Sequence, residues 1–494
     1  MTLYENGGPG HGQRAAIGES RQSPRGVPGP AAGAGGGDYV PPEIDAALLP
    51  SLAQVYSDNA TMVGFGPRFT GSRAHNDYLA WVREELERAG CQLLPDQDFP
   101  CNLWEAESWG LTVLDGPAAG EIPVAAYYPR CATTPDGGTV GELVYVDLAQ
   151  PPAPGTDFSG AILLVDTHLP TTYTRAYYDA QLGAFLTQPG NESTPWRKLF
   201  DLALWKAAFQ APGAHTAAGI VCIVDASYAA LAYDYMPPLQ GPVGTPVVYV
   251  DRDAGAILRQ AVAAAPRVRL TVNAARSATT SPSIVAVLPG DGSTDRVLIG
   301  NTHSDGVSFV QENGGLGLIE IARYFHQRKL QGQGLRHDFV FSFVTGHFNA
   351  DPPFPQTQGF IDAHPDLIAR ASAALTIEHL GVTEWVDDQA GYHPTGWPEI
   401  AYTWVADQFV SLAASTFERY HLPNHRLAHI GRKPYPGVGS ALSAAGVPSV
   451  SFLGTPSYVV TAAPDGCLDK FDPALMRRQL TWFIDILQQI DAKP

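Results

Sequence analysis

Apolar positions in this chain follow two rhythms. From Ser283 onward, short apolar runs alternate with stretches whose apolar residues recur every three or four positions. The runs Ser283-Ile-Val-Ala-Val-Leu288, Val297-Leu-Ile299, Phe339-Val-Phe-Ser-Phe343, Ala374-Leu-Thr-Ile377 and Ser449-Val-Ser-Phe452 read as buried strands. Residues 316–325, 358–364, 404–420 and 473–490 have helical spacing. Strand and helix taking turns predicts an α/β fold: a mixed, mostly parallel sheet sandwiched by helices.

Residues 118–282 have a different texture. Four β-rich runs (Glu142-Leu-Val-Tyr-Val146, Ala161-Ile-Leu-Leu-Val165, Gly219-Ile-Val-Cys-Ile-Val224 and Pro246-Val-Val-Tyr-Val250) are separated by Gly, Pro and Asp turns. A helix over 207–218 is expected before the third run. The stretch 170–194 is long and carries Tyr173, Tyr177, Tyr178 and Phe185. That suits a lid or wall better than an idle linker. Nearer the amino terminus, helical periodicity covers 44–56. Residues 76–89 form an amphipathic pattern with Tyr78, Leu79, Val82 and Leu86 on one face. Gly90 then stands at the helix C-cap position. The expected division is a tail at 1–40, an α/β unit from 41–117 and 283–494, and an inserted β-rich unit at 118–282.

Composition narrows the partners. The 494 residues are 45% hydrophobic and 16% charged, a globular balance, with a formal charge of −18. So negative a chain is a poor match for nucleic acid or an anionic membrane surface. The tail is rich in Gly, Pro, Ala and Arg and lacks the apolar block of a secretory signal. Five cysteines (Cys91, Cys101, Cys131, Cys222 and Cys467) are scattered without Cys-x-x-Cys spacing, which argues against a disulfide framework or thiolate zinc site. These features together point to a cytoplasmic protein.

The chemistry concentrates in Val297-Leu-Ile-Gly-Asn-Thr-His-Ser-Asp305 and the Gln311-Glu-Asn-Gly-Gly315 that follows it. A buried strand here delivers His303, Asp305 and Glu312 to its carboxyl end, where α/β sheets place their ligands. Imidazole with carboxylates suits a divalent cation, and zinc takes both donor types.

This segment resembles the metal-binding region of the M28 zinc aminopeptidases, which are related to the animal glutaminyl cyclases. The resemblance spans roughly residues 45–490. The Pro67-Arg-Phe-Thr-Gly-Ser72 loop is similar to the opening of those enzymes, and the β-rich insert resembles a protease-associated (PA) domain, most of all at Val247-Val-Tyr-Val-Asp-Arg-Asp-Ala-Gly255. The resemblance implies a metal held by His303, Glu312 and Glu378, the last in Thr376-Ile-Glu-His-Leu-Gly381. It makes Asp305 the carboxylate that orients the His303 ring.

The chain departs from that pattern at three places. The family's Glu-Glu pair falls at Gly346-His347, so the usual general base has no counterpart, and His347 is the available substitute for a second-metal ligand. The late ligand His is missing from Tyr458-Val-Val-Thr-Ala-Ala-Pro-Asp465. The family's Ser-Asp-His is replaced by Gly437-Val-Gly-Ser440. One divalent metal therefore fits better than two. Asp305, His347 and His379 are the candidate catalytic residues, with His347, His379, Asp351 and Glu384 open as replacement proton acceptors. His421, His425 and His429 read as loop histidines. Gly439-Ser440 lacks a nucleophile-elbow frame.

Three functions remain open. The first is an M28-type metal-dependent hydrolase acting on an amide or peptide bond, on a small-molecule or peptide substrate. The second is a single-metal cyclase, lyase or transferase of specialised metabolism. The third is a catalytically silent binding protein.

Overall fold

The computed structural model describes residues 43–167, 175–191, 211, 213–235, 243–348, 354–431 and 434–493. The expected tail at 1–40, Asp351 and residues 207–210 and 212 of the expected 207–218 helix lie outside them. Of that helix, the described part holds only the short turn Ala214–Thr216.

The expected α/β architecture is the one observed. Strand Val297–His303, buried along its whole length, runs parallel to Asp338–Val344 on one side and to Ala371–Glu378 on the other. Ser449–Gly454 continues the parallel set beyond Ala371–Glu378. Past the apolar triplet at 297–299 the strand carries polar side chains inward, and they find partners there. Thr302 Oγ1 donates to the Ile377 carbonyl at 2.8 Å, and Asn301 Nδ2 reaches Thr376 Oγ1 at 3.4 Å.

Helix Phe309–Leu330 covers one face of this sheet, and Ser308 caps it by accepting from the Val310 amide. Gly314, Gly315 and Gly317 let the helix lie close to its neighbours. A Cβ at Gly314 would strike the Ile377 carbonyl, and one at Gly317 would come within 2.7 Å of Leu380 Cδ1. Asn313 then clamps the turn beyond the neighbouring strand. Its Nδ2 donates to the Leu380 carbonyl and its Oδ1 accepts from the Leu380 amide, both at 2.7 Å.

A 22-residue strand, Arg267–Leu288, links the β-rich segment to the central sheet. It pairs antiparallel with Gln97–Val113, with Thr139–Val146 near its start and with Asp338–Val344 near its end. One unbroken strand thus runs through positions 282 and 283.

Some local expectations needed correction. The 404–420 helix begins at Val410, because Ala401–Val405 is a strand with all five residues buried. Its aromatic and β-branched side chains fit a sheet interior, and it pairs with Ser449–Gly454 and His425–His429. The helix expected over 44–56 starts at Leu52, where Ser51 Oγ accepts from the Gln54 amide. The described part of 170–194 forms helix Arg175–Leu182 and strand Ala184–Thr187. That strand covers the outer edge of His425–His429, which is therefore sheet and not loop. His425 is buried in that strand and His421 ends the preceding helix.

Among the described residues no disulfide forms, and all five cysteines are buried. No helix among them is long and apolar enough to cross a membrane.

Candidate metal centre

His303 closes strand Val297–His303, and Glu378 closes the adjacent parallel strand Ala371–Glu378. Successive side chains in a strand point to opposite faces, so His379 would ordinarily turn away from Glu378. It does not, because His379 adopts a left-handed backbone with φ of 61°. That conformation is uncommon outside glycine and is held here by the Asn313 clamp on Leu380. One ligand atom each from His303, Glu378 and His379 therefore lies within 4.8 Å of the other two.

The hydrogen bonds set the tautomers. His303 Nδ1 lies 2.8 Å from the Asp305 backbone carbonyl, and His379 Nδ1 lies 2.7 Å from the Gly454 carbonyl. A carbonyl only accepts, so each Nδ1 carries the proton and each Nε2 presents a lone pair. Both Nε2 atoms are buried and lack a hydrogen-bond partner among the described residues. Glu378 Oε2 faces His303 Nε2 across 3.8 Å. Its other oxygen accepts from the Val438 amide at 2.9 Å.

Burial shapes the charges. It holds His303 well below the ordinary imidazole range, with His347 and His379 adding to the effect, and it lowers His379 to about 4. It pushes Glu378 up to about 7, opposed by the Val438 amide. Two neutral imidazoles and a carboxylate without a countercharge are a donor set that a divalent cation completes. The residues present fit such a cation.

The remaining expected site residues are placed differently. Glu312 requires a correction: both of its oxygens are taken by Arg68, through Nε to Oε1 at 2.6 Å and Nη2 to Oε2 at 2.9 Å. That pairing competes with a metal for both oxygens, and Glu312 stands outside the converging group. Asp305 does act on the His303 ring, but through its backbone carbonyl. Its carboxylate accepts from Thr70 Oγ1 and from the amides of Gly346 and Phe348, and Oδ1 lies 3.9 Å from His303 Nδ1.

His347 stacks on His303 with ring centroids 4.3 Å apart, and its Nδ1 lies 3.4 Å from Gln356 Oε1. It too lies outside the converging group. Glu384, considered as a proton acceptor, is engaged by Arg175, Asn191 and Thr395. His379, expected as a catalytic residue and not as a metal donor, stands in the converging group. The adjacency of Glu378 and His379 was visible, but the left-handed turn that aligns them was not.

Comparison with solved structures supports this fold. An M28 peptidase precursor from Shewanella amazonensis matches with a TM-score of 0.60 at 15% identity, covering 90% of this chain and 96% of that one. A zinc aminopeptidase from Bacillus subtilis matches at 0.59 and 14% identity, covering 89% and 95%. An aminopeptidase from Aneurinibacillus sp. strain AM-1 matches at 0.54 and 15% identity, covering 89% and 93%. No protein-family model matches the sequence, and no curated protein does.

Proposed function

We propose that this chain, which shares its fold with zinc aminopeptidases, is a single-metal hydrolase of an amide or peptide bond. The observation that carries the reading is the pair of buried, unpartnered Nε2 atoms on His303 and His379 beside the Glu378 carboxylate. Two nitrogens and one oxygen leave a coordination position open, and zinc is the cation that this set suits best. When bound, such a cation supplies Lewis-acid polarisation of a carbonyl and acidifies water. Residues 118–282 are read as a PA-like insert, supported by the parallel run of Thr139–Val146, Ala161–Thr167, Gly219–Val224 and Val247–Val250.

The chain's own residues take the remaining tasks. His303 and His379 are held in one tautomer by the Asp305 and Gly454 carbonyls. His347, whose Nδ1 faces Gln356 Oε1, keeps Nε2 as the acceptor for a proton from the attacking water. Gly346, at the position of the family's base, has no side chain to offer.

A second reading is favoured by two observations, the capture of Glu312 by Arg68 and the absence of a carboxylate at 346. It is a single-metal reaction without hydrolysis, such as a cyclisation or elimination. Metal analysis with peptide and aminoacyl-arylamide assays separates the two. One equivalent of metal with cleavage of peptides, lost together in His303→Ala, supports the hydrolase. One equivalent without any cleavage supports the alternative. Wild-type metal content in His303→Ala would refute the site.

A further inference from the structure

A second constellation lies at the opposite end of the central sheet. His337 immediately precedes strand Asp338–Val344, and Ser372 is the second residue of strand Ala371–Glu378. Asp491 is the last residue of helix Pro473–Asp491. Ser372 is six residues before Glu378 on one strand, so the two sites stand about 20 Å apart.

The three side chains form a continuous relay. Asp491 Oδ1 lies 2.8 Å from His337 Nδ1, and His337 Nε2 lies 3.0 Å from Ser372 Oγ. The Asp491 carboxylate is itself fixed, accepting from the Arg336 and His337 amides at 3.0 Å. A carboxylate on Nδ1 sets the proton there and leaves Nε2 to accept from the serine hydroxyl.

Ser372 is set apart from its strand neighbours. In the pairing with Val297–His303, Val297 faces Ala371 and Leu298 faces Ala373, so Ser372 is the extra residue of a bulge. Bulges are rare between parallel strands, and they re-aim a side chain. Ser372 is half-buried, and Arg296 beside it is exposed, so the hydroxyl is reachable from solvent. The Arg296 guanidinium is tied to the Ala371 carbonyl at 3.0 Å, and its Nε donates to Ser372 Oγ at 3.3 Å. That places a fixed cation beside Ser372 Oγ, where it favours the oxygen as the hydroxyl gives up its proton.

We propose that Ser372, His337 and Asp491 form a nucleophilic acyl-transfer site for small carboxylic esters, separate from the metal centre. Ser372 Oγ attacks the ester carbonyl carbon, and its proton passes to His337 Nε2. The new Oγ–C bond forms, the bond to the alcohol oxygen breaks, and His337 returns the proton to the departing alkoxide. Water, deprotonated by the same imidazole, then cleaves the acyl-serine to release the acid and restore Ser372.

The test uses the full-length protein, with and without EDTA, treated with a fluorophosphonate probe and separately with p-nitrophenyl acetate. The expected result is one phosphonyl adduct, mapped to Ser372, that EDTA does not abolish and that is missing in Ser372→Ala. His337→Gln should slow p-nitrophenyl acetate turnover by about 10²–10⁴-fold. Ser372→Ala removes only one hydroxyl, so a thermal-unfolding midpoint near that of wild type shows that its fold is intact. No adduct on folded wild-type protein, or an adduct on another residue, overturns the proposal.

Discussion

Arg68 and Glu312 meet in a two-point ion pair inside the protein, with both side chains almost fully buried. The guanidinium spends its other donors on the carbonyls of Met62, Gly66 and Ser308. Each partner has left water for the other, and the guanidinium competes with any metal for the Glu312 oxygens.

Removing one partner strands a buried charge. Arg68→Ala should therefore cost about 3–5 kcal/mol of unfolding free energy, read by denaturant titration. Replacing both residues with apolar ones of similar volume should recover most of that loss. Glu312→Gln should leave metal content unchanged, whereas Glu378→Gln should lower it, as mass spectrometry of the purified variants would reveal. Loss of metal in Glu312→Gln would return Glu312 to the ligand set.

Gly437 guards the outer side of Glu378. Its φ of 96° suits glycine, and a Cβ there would collide with Glu378 Oε1. Gly437→Ala should displace the carboxylate and weaken metal binding in a zinc titration. The cost in stability should stay within about 1–3 kcal/mol, the range for local backbone strain. Unaltered zinc affinity would mean that Glu378 does not contribute a donor.

His425 gives the protein a defined acid sensitivity. Burial lowers it to about 4, the Pro423 carbonyl opposes the shift, and Arg426 and Arg478 add to it. Its Nδ1 is bound to that carbonyl, and its Nε2 accepts from Gln479 at 2.8 Å. The folded state therefore keeps it neutral while the unfolded chain protonates near 6.5. Its contribution is fully present above about pH 6.5 and is lost as pH falls to about 4, amounting to ~3 kcal/mol. Denaturant midpoints at pH 7 and pH 4.5 should converge more in His425→Gln than in wild type. Equal pH sensitivity in both proteins would assign the acid loss to other groups.

The buried run 297–299 and the amphipathic helix 76–89 were legible from their apolar patterning, and the structure has them within strand Val297–His303, which runs four residues further, and helix Arg73–Arg88. Strand Ala401–Val405 was not. Trp404 and Val405 flow into a helical pattern, and only pairing with distant strands shows that they end a sheet element.

At the candidate centre, the sequence by itself supplied His303 beyond an apolar run, because a buried strand announces where it stops, and the family resemblance pointed to Glu378. It also showed that position 346 lacks a carboxylate. Only the tertiary structure decided which acids remain available. Arg68 is 244 positions from Glu312, and a guanidinium that distant leaves no trace in local spacing. The turn that brings His379 beside Glu378 depends likewise on Asn313, 67 positions from Leu380. Local patterning fixes where a side chain leaves its strand, but long-range hydrogen bonds and ion pairs fix what it can bind when it gets there.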